Sequence, residues 1–281
     1  MRLPLNDRDP MPPALSADDL CAALQSATAT LAALVGSSDQ DLRIPTCPDW
    51  TMRQLATHVG RAHRWAAEIV STRSQRFIEF RSVPDGKSPP GAAAQAEWLS
   101  AGAARLAGAV AAAGADLVWA FRELSPAPFW ARRMTHETLV HLADAQIAAA
   151  VGTGGTSGTA GRKTAAEMPA RLAADAIDEW LTVMSPLSAG EHELSAALPA
   201  GTRMRVQATG PGTQTAGEWL IIHGHDGVHA LPGPGTADVT LEGPAGDVLL
   251  VLMRRLPVST ASVEVAGDAR VIERWLALTA F

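Results

Sequence analysis

The hydrophobic period of this chain changes about two-thirds of the way along, which restricts it to a mixed helix-and-sheet architecture. Up to about Val183 apolar residues recur every three or four positions; from Arg203 onward short stretches alternate polar with apolar. The helix starts are marked by caps. Ser16-Ala-Asp-Asp19 reads as an N-cap with an acid at the third helical position, and Leu15 and Leu20 are placed to close the turn. That helix is expected to run to about Val35. Thr51-Met-Arg-Gln54 fits a capping box flanked by Trp50 and Leu55, and Pro48 keeps the preceding chain extended, so a second helix is expected from Thr51 to about Ser71. Residues 75–90 read as a loop, and a third helix spans about Ala92 to Ala113 with Trp98, Leu99, Leu106 and Val110 as its apolar side. Pro126 and Pro128 precede a fourth, about Phe129 to Val151. The Gly, Thr, Ser and Ala run from Gly152 to Gly161 is expected to end it and to hold no packed element.

A further helix is expected over Ala165 to Val183. Then come a strand over Arg203 to Ala208 and a hairpin, Glu218–His225 and Val228–Leu231, around Asp226-Gly227. Ala237–Glu242 and Ser262–Ala266 read as strands, Pro244–Met253 and Asp268–Leu278 as helices. The expected fold class is therefore α + α/β mixed: a four-helix bundle over residues 14–155, a linker and connecting helix over 156–190, and a small C-terminal α+β domain over 191–281.

Composition removes several functions. Of 281 residues, 47% are hydrophobic and 19% charged, enough for a real core and too few charges for a disordered chain. A net charge of −6 and scattered arginines argue against a nucleic-acid surface. Two cysteines, Cys21 and Cys47, allow neither a disulfide framework nor a cysteine-based zinc motif. The polar, proline-rich start lacks the apolar core of a signal peptide, and the longest apolar stretches are alanine-rich and interrupted. The expectation is a cytoplasmic protein, monomer or homodimer, that works on small molecules and binds no nucleic acid or membrane.

Glu137 and His141 lie four apart on the fourth helix and so share one face. His58 lies about two turns into the second helix, deep enough to point into a bundle. Two nitrogens and a carboxylate oxygen suit a divalent metal, above all zinc, and three protein ligands leave a position open, as catalytic sites do. The same spacing also occurs on solvated helix faces, so both readings stand. Val140 occupies the place of the second His of His-Glu-x-x-His, which excludes a zincin-type protease. Asp144, one turn beyond His141, is either an acceptor for a ligand histidine's free ring N–H or an ordinary helix-surface acid. His63 projects from another side of its helix and reads as a surface or satisfied histidine.

His223, His225, Asp226 and His229 resemble a metal tract, but the expected hairpin turn interrupts the set. Arg203 and Arg205 share one face of a strand: either a solvated face or one that holds a polar substrate. Cys47 has no partner cysteine and no local base, and reads as a buried thiol.

The surroundings of these residues carry a resemblance. Cys47-Pro-Asp-Trp-Thr-Met-Arg-Gln-Leu-Ala-Thr-His58-Val-Gly and Arg132-Arg-Met-Thr-His-Glu137-Thr-Leu-Val-His141-Leu-Ala-Asp144 resemble the two motifs of the mycothiol-dependent maleylpyruvate isomerase family, within the DinB-like superfamily. Asp175-Ala-Ile-Asp-Glu-Trp-Leu181 resembles its connecting helix; Glu218-Trp-Leu, Asp226-Gly-Val, Val265-Ala-Gly-Asp268 and Arg274-Trp-Leu resemble its C-terminal domain. The resemblance implies a DinB-like four-helix bundle that holds zinc, or another divalent metal, through His58, Glu137 and His141. It further implies that the metal takes the sulfur of mycothiol, the low-molecular-weight thiol of actinobacteria, as cosubstrate. Asp144 and Arg205 are then candidate catalytic residues, and Arg203 and Arg205 candidates for holding the thiol. One departure is visible: the family often has an arginine and a tryptophan where this chain has Leu142 and Ala143.

The expected activity is transfer or exchange of the thiol onto a small-molecule electrophile, in detoxification or natural-product biosynthesis. The alternative is cis–trans isomerisation of maleylpyruvate. A third reading, a non-catalytic small-molecule-binding module, expects no bound metal.

Overall fold

The computed structural model describes residues 15–188, 190–210, 213–225 and 227–279. It is a mixed helix-and-sheet protein that divides into two units: Ser16–Met168 with Leu250–Ala261, and Pro169–Leu249 with the segment from Ser262 onward.

The first unit is built on four long helices, α1 (Ala17–Ser37), α2 (Met52–Ser71), α3 (Ala92–Ala113) and α4 (Pro128–Gly152). Capping boxes at Ser16 and Thr51 start α1 and α2, each satisfying an otherwise orphaned backbone N–H. Leu31 and Val35 of α1, Leu55 and Val59 of α2, Leu99 of α3 and Leu142 of α4 share one core, joined by Ile44. By length and composition α1 is apolar enough to cross a membrane, contrary to the sequence expectation. Here it packs Leu20, Leu24, Leu31 and Val35 inward.

Two short antiparallel hairpins were not anticipated: β1 (Arg43–Ile44) with β2 (Cys47–Thr51), and β3 (Leu117–Ala120) with β4 (Glu123–Pro126). Strands of two to five residues are too short to show a period. The second hairpin places Trp119 against Trp65 and Trp130, and the Trp130 indole N–H donates to the Trp119 carbonyl at 2.8 Å.

Two expectations are corrected. The Gly152–Gly161 run does hold structure: α5 (Ser157–Glu167) starts inside it, with Thr156 capping the N–H of Thr159. Gly161 packs closely there: a Cβ would stand 2.9 Å from the Leu256 Cδ1 methyl. The expected helix over Ala165–Val183 is two helices. Pro169, with extended ψ of 118°, separates α5 from α6 (Ala170–Glu179), and a π-helical turn follows over Trp180–Met184.

The second unit continues with α7 (Ser185–Ser188) and α8 (Gly190–Ala197) and holds a five-stranded sheet. Its strands are β5 (Arg203–Gly210), β6 (Thr213–Gly224), β7 (Gly227–Pro232), β8 (Val239–Pro244) and β9 (Glu264–Gly267), in the order β7-β6-β5-β8-β9. Only β5 and β8 run parallel, joined to the rest through α9 (Ala245–Leu252) and α10 (Ala269–Leu278). Met204, Val206 and Ala208 form the buried alternate positions of β5. The hairpin closes at Gly224 opposite Gly227; Asp226, from the expected turn, lies outside the described residues.

α2 and α3 approach closely because Gly60 has no side chain: a Cβ there would lie 2.0 Å from the Trp98 ring. We expect Gly60→Ala to destabilise the protein by about 1–3 kcal/mol through overpacking, measured by urea denaturation. Trp98→Leu in the same chain should recover part of the loss.

Candidate metal centre

α4 carries most of the site. Arg133, Glu137, His141 and Asp144 follow at steps of four, four and three residues, so the helix stacks them along one face. α2 contributes His58, and β2, leading into the Thr51 cap, contributes Cys47 and Trp50.

The structure brings His58, Glu137 and His141 together. Glu137 Oε1 lies 2.7 Å from His58 Nε2 and 3.3 Å from His141 Nε2. Its other oxygen, Oε2, accepts from Arg133 Nη2. The two imidazoles meet edge to face with centroids 4.9 Å apart, and the Trp50 ring stands 4.8 Å from His58 and 5.6 Å from His141. Side-chain exposure rises from 8% at His141 through 19% at Glu137 to 39% at His58, so the group is open on the His58 side.

Behind His141 lies a buried polar ring. Its Nδ1 is 2.9 Å from Asp144 Oδ2, which leaves Nε2 for the open side. Asp144 is fully buried and also accepts from Thr46 Oγ1 at 2.5 Å and from Arg255 Nε and Nη2 at 3.1 and 3.2 Å. The Cys47 thiol lies 3.6 Å from both Asp144 Oδ2 and Arg255 Nη2.

Burial disfavours charge on Glu137, Asp144, His141 and Cys47, and pairing outweighs it at the first three. Burial alone would raise Glu137, but Arg133 and hydrogen bonds from His141 and His58 hold its carboxyl well below the usual range. Burial likewise opposes ionisation of Asp144, and His141 and Arg255 reverse it. Burial would discharge His141, but Asp144 and Glu137 lift it to about 9. Burial, reinforced by Asp144, pushes the Cys47 thiol up to about 11, so at neutral pH it stays protonated.

Among the described residues two sets of donors could hold a metal ion: His58 with Glu137 and His141, and Cys47 with His141 and Asp144. The second fits poorly, because its carboxylate already serves Thr46 and Arg255 and its thiol resists ionisation. The first fits zinc. Donor atoms around a tetrahedral zinc with bonds of about 2.0–2.1 Å stand about 3.3 Å apart. The Glu137–His141 pair has that spacing, and the His58–Glu137 pair is closer, as a hydrogen-bonded pair is.

Elsewhere the sequence candidates behave differently. His63 is fully buried, not at the surface, and bonds Thr138 Oγ1 at 2.8 Å; burial lowers its pKa to about 4. His223 bonds the Leu198 carbonyl through Nδ1 at 2.5 Å, and no metal-competent group among the described residues includes it, His225 or His229. Arg205 directs its guanidinium to Glu218 on the neighbouring strand at 3.3 Å, while the exposed Arg203 gives its backbone N–H to Asp238 Oδ2 at 2.8 Å. Three site residues were missed. Arg133 stands four before Glu137 and was legible as a partner; Thr46 adjoins the Cys47 motif; Arg255, 111 residues from Asp144, gave no sequence signal.

A metal at this centre must displace the proton that His141 holds below pH 9. Zinc affinity of the metal-free protein should therefore rise about tenfold per pH unit from pH 7 to about 9 and then level off, read by competition with a chromophoric chelator. The sign for folding is opposite. Because the folded-state value is raised, protonated His141 stabilises the metal-free protein fully below the ordinary 6.5, and this is lost as pH rises through about 9. Asp144→Asn should weaken zinc binding about 10–100-fold, and His58→Ala should leave the purified protein without stoichiometric metal by elemental analysis.

Residues 21–146 match the family description "Mycothiol maleylpyruvate isomerase N-terminal domain", and residues 171–274 match "MDMPI C-terminal domain". Nothing among curated proteins matches the sequence significantly. Among solved structures, the mycothiol-dependent maleylpyruvate isomerase is similar with a TM-score of 0.52 and 15% identity, over 90% of this chain and 95% of that one. A histidine-to-alanine variant of that enzyme gives 0.53 and 15% over the same shares. At that identity the structures speak for the fold alone. The two matched family domains, taken with the motifs around His58 and Glu137, place this chain in the mycothiol-dependent maleylpyruvate isomerase family, a family of enzymes.

Proposed function

We propose that this protein is a mycothiol-dependent metalloenzyme of DinB-like bundle architecture that adds the thiol sulfur to an electrophilic double bond, with cis–trans isomerisation as its reaction. The observation that carries the reading is the open group of His58, Glu137 and His141 in a chain whose two domains both match this family. A divalent ion, zinc by its donor set, supplies the acidity that makes a thiol a nucleophile at neutral pH.

The chain's own residues prepare that position. Asp144 fixes the His141 ring through Nδ1 and directs Nε2 outward. Arg133 occupies Glu137 Oε2, which leaves Oε1 turned toward the two imidazoles. Trp50 lies against both imidazoles and keeps water from their flank. Cys47, held protonated, does not compete as a nucleophile. In the isomerisation the thiolate sulfur would add to one carbon of a conjugated cis double bond, pushing its electron pair onto the conjugated carbonyl; the resulting single bond rotates, and the pair returns to reform the double bond as the carbon–sulfur bond breaks, giving the trans product and the thiolate back. Arg203 and Arg205 are our candidates for holding the thiol.

Transfer of the thiol onto an electrophile, the first expectation from sequence, is the weaker reading, since the matched family is that of the isomerase. One observation keeps it. Leu142 belongs to the helical core and Ala143 is buried, so neither supplies the polar contact that an arginine at the first position would give.

The deciding assay gives metal-loaded protein mycothiol with maleylpyruvate, and separately mycothiol with a panel of alkylating electrophiles. Catalytic turnover of maleylpyruvate without net thiol consumption is expected. Conjugate formation without isomerase turnover would move the assignment to transfer, and inactivity in both arms with metal bound would sink both readings. Arg205→Gln is expected to raise the KM for mycothiol about tenfold or more with little change in kcat, as loss of a charge-assisted contact does.

A further inference from the structure

The scattered arginines of the sequence do not stay scattered in the fold. A cleft of about 850 Å³ lies between α2 and the segment that leads into α3, and Arg53, Arg61, Arg81 and Lys87 all line it. Arg53, Thr57 and Arg61 recur every four residues and so stand on one face of α2. None of the four cations takes part in an ion pair among the described residues. The one acid in the lining, Asp85, is already neutralised by the buried Arg64 at 2.9 Å.

The facing wall is built, not loose. The Trp65 indole N–H donates to the Ile78 carbonyl at 2.7 Å, and that of Trp98 to the Asp85 carbonyl at 3.0 Å. Gln95, itself buried, donates to Ser88 Oγ at 2.8 Å and to Thr57 Oγ1 at 3.0 Å, which ties the wall to α2. Asp85 holds a left-handed φ of +57°, a conformation that its buried partners over-determine. Phe80 stacks on Trp65 with centroids 4.4 Å apart and keeps an exposed edge at the cleft.

Four cations that form no ion pair among the described residues, converging in a protein of net charge −6, form a local field opposite in sign to that of the molecule. We propose that this cleft is a second ligand site, separate from His58, Glu137 and His141, for a small molecule bearing several negative charges. Three guanidinium forks suit phosphate or carboxylate oxygens, and the concave shape and volume suit a ligand of metabolite size more than a polymer.

Isothermal titration at low ionic strength tests this with two probes, pyrophosphate for a phosphorylated ligand and tricarballylate for a polycarboxylate. Saturable one-to-one binding of at least one is expected, and the better probe identifies the source of the charge. Binding should weaken at least tenfold in an Arg61→Gln, Arg81→Gln double variant of unchanged thermal stability and stay the same in Lys163→Gln. Failure of both anions to saturate would overturn the proposal. So would binding that survives in the double variant, because that marks capture at the metal centre instead. The titration needs neither mycothiol nor turnover, so its outcome is independent of the catalytic reading.

Discussion

The carboxylate of Asp144 is a buried anion, and three separate stretches of chain are placed by the need to compensate it. Left alone at zero exposure it would cost several kcal/mol. The turn between β1 and β2 supplies Thr46, the stretch after α9 supplies Arg255, and α4 itself supplies His141. Each donor can reach only if its own segment is in register. The residues around Arg255 belong to the helical unit although they follow four strands of the sheet in sequence. Leu250 and Leu256 pack beside Ala143 and Ala165, so an apolar contact seats the segment and the ion pair sets its angle.

Charge alternates along this face of α4: Arg133, Glu137, His141, Asp144, and beyond it Arg255. Glu137 has a guanidinium at one oxygen and imidazoles at the other, while Arg255 spans both oxygens of Asp144 and His141 Nδ1 shares Oδ2 with it. The two histidine-facing oxygens lie on opposite sides of the His141 ring, which fixes both its rotation and which nitrogen faces outward. This is how a side chain on a helix interior keeps one orientation without a metal to hold it.

Much of this was legible in the sequence because it depends on local rules. Thr51 and Gln54 announced the start of α2 through a capping box, and that start fixes the turn on which His58 stands. The four-residue spacing of Glu137 and His141 needed only helical geometry. Arg255 was illegible for the opposite reason: its role exists only after a chain reversal that no local pattern encodes. The cationic cleft is similar, since Arg81 and Lys87 meet Arg53 and Arg61 through the anchoring of one loop on Arg64, Trp65 and Trp98. Of the two readings open for His63, surface or satisfied, the structure has the second, because α2 is buried on more than one side and Thr138 meets the ring. In the Gly152–Gly161 run small residues read as breakers by local rules, yet α5 begins inside it. Beside Leu256 small size is what permits packing.

The stacking of Arg133, Glu137, His141 and Asp144 on one helix has a consequence for how such a chain can drift. Each residue of an α-helix turns the chain by about 100°, so gaining or losing one position between Arg133 and Asp144 would swing every later member off the shared face. The loops around them carry no such phase. The segment over 75–90 can change length while its anchors to Arg64 and Trp98 persist, and so can the turn between β3 and β4. Relatives should therefore accumulate insertions and deletions freely in those connections and almost none within the eleven-residue step that separates Arg133 from Asp144. The phase of one helix, more than the identity of most side chains around it, is what lineages of this fold have to preserve.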